Sequence, residues 1–219
     1  MIYIIATRDK DRSQPLRDIL DALELEYKMV DGFNGHKITN AGYFFKKYEG
    51  NNSLNLSNMN KGEFGCIISH IIAITMAKSD KCENAIIFED DARINMNFKN
   101  DLEEIKKEGI PENTDILMLG GILLKEHNII GEKINKLLRK VQAPVYGTHS
   151  YLILKNGYDK VLDMLYSMKN TADDLIINRR DEINILITDK WLSYQSEELS
   201  VIWPEKTGPG IHSKFKYKS

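Results

Sequence analysis

The chain has 219 residues, of which 42% are hydrophobic and 28% charged, and its formal net charge is −2. This length suits one α/β domain with a sizeable core and is short for two. A charge so near zero excludes the broad basic field of a nucleic-acid-binding protein. The two cysteines form no CxxC pair, and no stretch approaches the roughly 20 apolar residues that cross a bilayer. We therefore expect a single cytoplasmic domain over residues 1–219.

The first thirty residues predict a strand, a helix and a second strand. Ile2–Ala6 is an apolar run without helical spacing, which is typical of a buried strand. A helix should follow, with Ser13 as its N-cap, Pro15 in its first turn and apolar residues at helical spacing from Leu16 to Leu23. Glu26–Val30 reads as the second strand and stops at Asp31-Gly32. Such a unit predicts two parallel strands.

Residues 33–60 interrupt this pattern and are rich in Asn, Gly and aromatic residues, so we interpret them as an insertion loop or small subdomain. A buried helix should begin after Asn60, because Glu63 stands three residues later, as in a capping box. The later pattern predicts three more strands and two more helices, with the strands at Ala85–Phe88, Asp115–Leu119 and Ser150–Leu154 and the helices around Leu102–Ile105 and Tyr158–Leu165. Val201–Trp203 would be a last strand before a basic tail at residues 205–219. Alternating strands and helices imply a mostly parallel twisted sheet with helices on both faces.

Three consecutive carboxylates, Glu89, Asp90 and Asp91, directly follow the predicted strand Ala85–Phe88. Ligands of open α/β sheets bind at the carboxyl ends of the strands. A divalent cation, Mg²⁺ or Mn²⁺, would offset the mutual repulsion of these groups, with Glu89 and Asp91 as ligands on the same side of an extended chain. The alternative is a solvated acidic turn, or Asp91 as the cap of a following helix.

Glu63, Cys66 and His70 share one face of the helix that follows Asn60. Three ligands on a single helix rarely form a closed metal site without a distant fourth. We therefore interpret Cys66 as a small buried residue and Glu63 as a cap. Gly62 and Gly65 lie in the first turns, where glycine costs helix stability and is tolerated when a backbone or ligand approaches closely.

Several segments together resemble glycosyltransferase family 25, which includes lipopolysaccharide and lipooligosaccharide galactosyltransferases and collagen galactosyltransferases. The most specific segments are residues 62–70, Gly-Glu-Phe-Gly-Cys-Ile-Ile-Ser-His, and residues 85–92, Ala-Ile-Ile-Phe-Glu-Asp-Asp-Ala. Tyr146–Leu154 and Thr171–Leu175 are also similar. The resemblance implies a GT-A-like, Rossmann-like core that binds a nucleotide-sugar. It also implies a UDP-sugar donor, UDP-galactose above all, and inversion at the anomeric carbon.

An inverting transfer requires a base for the acceptor hydroxyl and positive charge beside the departing diphosphate. For the base we expect Asp173 or Asp174, with His149, Glu63 and His70 as further candidates. For the diphosphate we expect a manganese or magnesium ion at Glu89 and Asp91, helped by Arg8 or Arg12. The donor site should comprise the loops after the first two strands and the two family segments, that is Ala6, Thr7, Arg8, Arg12, Asp31, Gly32, Glu63, Ser69, His70, Glu89 and Asp90.

The chain departs from the family pattern in three places, namely at Thr7-Arg8, in the acidic motif near Asp173, which has no proline, and after about residue 185. The acceptor is expected to be a saccharide or glycolipid of the cell surface. The basic tail offers a contact with the inner membrane, although such tails are more often simply solvated. The alternatives are a sugar-phosphate nucleotidyltransferase, although residues 7–13 contain no glycine for a phosphate loop, or an inactive binding module.

Overall fold

A computed structural model describes residues 1–7, 12–37, 59–123, 131–141, 145–177, 179 and 182–196. Four sequence predictions lie outside these ranges, either wholly or in large part. They are Arg8, most of the insertion at residues 33–60, the strand Val201–Trp203 and the basic tail at residues 205–219.

The described chain alternates strands and helices for most of its length. The helices are α1 Gln14–Ala22, α2 Lys61–Ser79, α3 Phe98–Glu108, α4 Gly157–Ser167 and α5 Ala172–Ile176, with a 3-10 turn at Gly35–Lys37. The strands are β1 Ile2–Ala6, β2 Tyr27–Asp31, β3 Asn84–Glu89, β4 Ala92–Ile94, β5 Ile116–Met118, β6 Ile122–Leu123, β7 Leu138–Lys140, β8 Val145–Tyr146, β9 Ser150–Leu154, β10 Ile185–Thr188 and β11 Ser193–Gln195. No helix in the described ranges is both long enough and apolar enough to cross a membrane.

In the part of the chain that the structure describes, the central sheet has seven strands in the order β2-β1-β3-β9-β5-β10-β7. Five of them point the same way, and β9 and β7 run against their neighbours. The prediction of a mostly parallel sheet flanked by helices is thus confirmed, with two reversed strands. An antiparallel neighbour needs no crossover helix, and the described segments between β5 and β9 contain only short strands.

The sheet is buried on both faces, and alternate residues of β1 show this directly. Tyr3 and Ile5 belong to the core that packs under α2, α4 and α5, whereas Ile2 and Ile4 belong to the core under α1 and α3. Successive side chains of a strand point to opposite faces, so a continuous apolar run is what a central strand between two helical layers requires.

The predicted start of α2 is confirmed in detail. The Asn60 side chain accepts a hydrogen bond from the Glu63 amide, and the Glu63 carboxylate accepts one from the Asn60 amide, both at 2.9 Å. Ser13 does occupy the N-cap position of α1, but its side chain makes no capping hydrogen bond. For the other predicted elements in the described ranges, the observed boundaries lie within a few residues of the predicted ones.

The loop after β2 packs its backbone directly on the first turns of α2. A Cβ atom on Gly65 would lie 2.7 Å from the Phe33 carbonyl oxygen and 2.8 Å from the Gly35 amide nitrogen. A Cβ on Gly35 would lie 1.7 Å from the Lys61 carbonyl oxygen. The close approach predicted for Gly65 is therefore an approach of backbone, which fixes this loop at the edge of the sheet.

Gly65→Ala should lower the free energy of unfolding by about 1–3 kcal/mol, because the added methyl group overpacks a backbone contact. An ordinary helical glycine would instead gain up to about 1 kcal/mol on the same change. Chemical denaturation monitored by circular dichroism measures the difference. Thr75→Ala, on the exposed face of the same helix, is the matched control and should be neutral or mildly stabilising. A stabilised Gly65→Ala protein would contradict the close contact.

Candidate active site at the carboxyl edge of the sheet

The strands β1, β2 and β3 are parallel neighbours and end at the same edge of the sheet. Ala6 pairs with Asp31, and Ile5 pairs with Glu89. The Gly32 amide donates a 2.8 Å hydrogen bond to the Ala6 carbonyl oxygen. The predicted adjacency of the loops after β1 and β2 is therefore confirmed, and the acidic triplet lies beside them.

A cleft opens at this edge, with an empty volume of about 660 Å³ that includes its mouth. The carboxylates Glu89, Asp90 and Asp91 line the cleft together with residues of the β1 loop, the β2 loop, α2 and β11, namely Ile5, Thr7, Arg12, Phe33, Asn34, Gly35, His36, Gly62, Gly65, Cys66, Ser69, His70 and Gln195. Most of the expected donor-site residues are thus brought together in one cavity.

Four expected donor-site residues that the structure describes have other surroundings. Ala6 and Gly32 pack against each other, since a Cβ on Gly32 would lie 3.2 Å from the Ala6 carbonyl carbon. Asp31 is exposed at the end of β2. The Glu63 carboxylate caps α2. The β2 loop reaches the cleft one to four residues later than expected, through Phe33, Asn34, Gly35 and His36.

Glu89 is held by partners from two other elements. The Thr148 hydroxyl donates a 2.6 Å hydrogen bond to Glu89 Oε1, and His70 Nε2 lies 3.2 Å from the same oxygen. Burial by itself would raise the pKa of Glu89, but the hydrogen bonds and charge of its partners outweigh burial and lower that pKa to about 2. Glu89 is therefore an ionised carboxylate with a fixed orientation.

Asp90 and Asp91 share the guanidinium group of Arg12, whose Nη2 lies 2.5 Å from Asp90 Oδ1 and 3.1 Å from Asp91 Oδ2. All three side chains are more than nine-tenths buried. Gln195 donates a further hydrogen bond of 3.1 Å to Asp91 Oδ2. The other oxygen, Asp91 Oδ1, is buried and accepts no hydrogen bond from any residue in the described ranges.

The electrostatic state of Asp91 is unusual for a carboxylate. Burial and the charge of Glu89 raise its pKa to about 7, and Arg12 and Gln195 offset this only in part. A buried carboxylate oxygen without a donor is costly. A divalent cation beside Asp91 Oδ1 and Glu89 would offset that cost, so these residues fit the oxygen-rich set that Mg²⁺ or Mn²⁺ prefers.

Asp173 reaches the same part of the molecule from α5. Its Oδ2 accepts a 2.7 Å hydrogen bond from the Gly147 amide, and its Oδ1 lies 3.4 Å from the Thr148 hydroxyl that also contacts Glu89. Burial raises the pKa of Asp173, although the Gly147 amide opposes this. Asp174 instead faces the Thr171 hydroxyl at 3.4 Å. Asp173 is thus connected to Glu89 of the acidic triplet through Thr148.

The remaining expected residues support the site. The Ser69 hydroxyl accepts a hydrogen bond from the Phe33 amide and donates one to the Gly65 carbonyl, at 2.8 and 2.7 Å. His70 Nδ1 lies 3.0 Å from the Tyr151 hydroxyl. His149 is buried under two glycines, and a Cβ on Gly120 would lie 2.5 Å from its Nε2. His149 is not among the cleft-lining residues.

Sequence reasoning missed four contributors to the site, which are Thr148, Tyr151, Gln195 and the Phe33–His36 segment. Thr148 stands in the Tyr146–Leu154 stretch that carries the family resemblance, so its segment was identified without its role. Gln195 lies beyond residue 185, in the part of the sequence that does not resemble the family. Only the pairing of β11 with β4 brings it beside Asp91.

Comparison with known proteins identifies the class. Residues 1–177 match glycosyltransferase family 25, described as an LPS biosynthesis protein family. The chain belongs to glycosyltransferase family 25, and its described residues form the mostly parallel α/β sheet with flanking helices that the sequence predicts.

A similar curated protein is "Probable inactive glycosyltransferase 25 family member 3" of Bos taurus, 26% identical in an alignment of 177 residues that covers 74% of this chain and 28% of that protein. The chain thus spans less than a third of this relative's length. Among solved structures, a glycosyltransferase involved in glycosylation of the major capsid of PBCV-1 aligns with a TM-score of 0.49 at 9% identity, over 85% of this chain and 79% of that one. A197 from STIV aligns with a TM-score of 0.45 at 14% identity, over 89% and 84%.

Arg12→Gln should lower the free energy of unfolding by about 3–5 kcal/mol, because it leaves two buried carboxylates without their cation. Urea denaturation of both proteins measures the loss. Lys78→Gln is the matched control: it breaks the ion pair with Asp159, in which both side chains are about half exposed or more, and should cost no more than about 1 kcal/mol. Equal losses of unfolding free energy in the two variants would show that the Arg12 contacts stabilise the fold no more than an exposed ion pair does.

Proposed function

We propose that this chain transfers a sugar, galactose in the first instance, from a UDP-sugar to a saccharide or glycolipid acceptor with inversion at the anomeric carbon. The observation that carries the proposal is the convergence of Glu89 and Asp91 with the loops after β1 and β2 in one cleft. Family membership supports sugar transfer, and the family's description as an LPS biosynthesis protein supports a cell-surface glycan as the product.

The diphosphate of the donor would lie against the acidic triplet. Glu89 and the unsatisfied Asp91 Oδ1 would hold a divalent cation, Mn²⁺ or Mg²⁺, which supplies positive charge to the departing diphosphate when bound. Arg12 keeps Asp90 and Asp91 in place from the other side. Arg8, which lies outside the described residues, remains a proposed second cation for the phosphates.

The nucleoside would occupy the part of the cleft formed by the two strand-end loops. Thr7 and Asn34 offer hydrogen-bonding groups, and Phe33 offers an aromatic surface for a base. The Phe33 ring is fixed edge-on against Phe64, with the ring centroids 6.2 Å apart. The roles predicted for Asp31 and Gly32 stay predictions, since neither lines the cleft.

Asp173 is the proposed base. In the transfer step the acceptor oxygen forms a bond to the anomeric carbon, the bond from that carbon to UDP breaks, and the acceptor proton passes to the Asp173 carboxylate. Burial raises the pKa of Asp173, which favours a carboxylate that can hold this proton. The Gly147 amide fixes Oδ2 of Asp173, and Oδ1, which lies 3.4 Å from the Thr148 hydroxyl, would be the oxygen that takes the proton.

A catalytically inactive nucleotide-sugar-binding module is the alternative. The name of the bovine relative, which describes that protein as probably inactive, supports it. The two functions differ in one observable. A transferase hydrolyses or transfers from at least one UDP-sugar in a panel, with loss of activity in EDTA, whereas a binding module binds a UDP-sugar and leaves it intact. A sugar-phosphate nucleotidyltransferase would instead consume a nucleoside triphosphate. Calorimetric titration with each nucleotide completes the comparison.

Asp91→Asn should abolish detectable transfer while it leaves the fold intact, because the amide removes the charge that would hold the cation and preserves the shape. Transfer measured by release of UDP, with Mn²⁺ and in excess EDTA, tests this. Glu103→Gln, on the exposed surface of α3, is the control and should keep wild-type activity. Unchanged transfer by the wild-type protein in EDTA would exclude the cation.

Asp173→Asn should lower kcat by a factor of about 100 or more with little change in the dissociation constant of the donor, since only the base is lost. Asp174→Asn is the matched neighbour and should retain most of kcat, because Asp174 faces the Thr171 hydroxyl, whereas Asp173 contacts the Gly147 amide and Thr148. Steady-state kinetics and donor titration measure both constants. The reverse ranking would transfer the role of base to Asp174.

A further inference from the structure

A second set of metal-binding side chains lies in the wall of the cleft. Cys66 and His70 are one turn apart on α2, and Glu89 ends the neighbouring strand β3. The ligand atoms of these three residues, Sγ, an imidazole nitrogen and a carboxylate oxygen, all lie within 4.8 Å of one another. The sequence pattern showed only candidate ligands on one helix. The fold adds Glu89, a ligand from a different element.

The geometry around His70 is that of an oriented metal ligand. Its Nδ1 is 3.0 Å from the buried Tyr151 hydroxyl, and its Nε2 points to Glu89 at 3.2 Å. Metal-binding histidines commonly use one ring nitrogen for such a supporting hydrogen bond and the other for the ion. Cys66 belongs to α2 and Glu89 to β3, and all three residues border the cleft, which provides an entry path.

We propose that Cys66, His70 and Glu89 form a binding site for Zn²⁺. A thiolate and an imidazole select zinc over magnesium or manganese, which prefer oxygen ligands. Zinc bonds of about 2.0–2.3 Å would draw the three ligand atoms slightly together. Three protein ligands leave a fourth position that opens to the cleft. On binding, the Cys66 thiol loses its proton to solvent and the sulfur bonds the ion.

The charge of the surroundings agrees with this assignment. Burial and the nearby charges of Glu89 and Asp173 raise the pKa of the Cys66 thiol well above its ordinary value. A bound cation reverses that effect, because it stabilises the thiolate directly. The carboxylates that disfavour a free thiolate at Cys66 thus favour a zinc–thiolate bond in the same place.

Zinc at this site would affect transfer, a consequence that rests on the proposed function. Glu89 serves both sites, so zinc withdraws it from the cation that accompanies the donor. Zinc should therefore inhibit manganese-supported transfer in wild-type protein.

Cobalt(II), a spectroscopic substitute for zinc, tests the binding site without any activity. Wild-type protein should show a cobalt–thiolate charge-transfer absorption that one equivalent of zinc abolishes. Cys66→Ser should lose this absorption and bind zinc about tenfold or more weakly by calorimetry. Cys82→Ser is the matched control, because Cys82 contacts Tyr3 and is not among the cleft-lining residues, and it should match the wild type in both measurements.

Wild-type protein that shows no cobalt–thiolate absorption, or a Cys66→Ser protein that binds zinc as tightly as wild type, would overturn the site. Circular dichroism shows whether Cys66→Ser is folded, and His70→Asn provides a second variant in which zinc affinity should fall similarly. If zinc binds without inhibiting transfer, the zinc site stands, and the proposal that Glu89 binds both zinc and the donor's cation is wrong. If the protein shows no transfer activity under any condition, the proposed function is wrong, whereas the cobalt measurement still decides whether the zinc site exists.

Discussion

The structure depends on the compensation of several carboxylates buried at one edge of a sheet. Three acidic residues in succession would repel one another strongly in a low-dielectric setting. The fold divides them between two sets of partners. Glu89 is stabilised as a carboxylate by contacts from α2 and from the segment before β9, whereas Asp90 and Asp91 share one arginine that precedes α1. This division lets the triplet stay ordered and face the cleft.

The compensation of these carboxylates is incomplete, and the missing hydrogen bond is at Asp91. Asp91 Oδ1 accepts no hydrogen bond within the described residues, and the pKa of Asp91 is raised to about 7 while that of Glu89 is lowered to about 2. Perturbed carboxylates of opposite direction in one cleft are typical of functional sites. Stability alone would favour a full set of donors around Asp91.

Thr148 connects the two halves of the site. Its single hydroxyl proton goes to Glu89, and its oxygen also lies near Asp173. A hydroxyl can donate only once, so the positions of the proposed metal ligand and the proposed base are linked through one side chain. The close backbone contact between Gly35 and Gly65 plays a comparable part on the opposite wall, where it fixes the β2 loop against α2.

The sequence by itself determined the elements whose pattern is local. The apolar run of β1, the capping box at Asn60 and the acidic triplet after β3 depend on near neighbours in the chain, and each is found where the pattern placed it. The family segments also identified Asp173 and Asp174 as a pair, without a choice between them. Short strands such as β4, β10 and β11 were missed, because three or four residues carry too little periodicity to distinguish a strand from a loop.

Only the tertiary structure decided which side chains meet. The reversal of β9 places Thr148 beside Glu89, the pairing of β11 with β4 places Gln195 beside Asp91, and the start of α5 places Asp173 beside the Gly147 amide. These contacts join residues far apart in the chain, and their hydrogen bonds depend on sub-ångström positions set by the packing of the whole sheet. Local spacing contains no information on such positions, so the sequence predicted part of the site's composition, the acidic triplet above all, and none of its geometry.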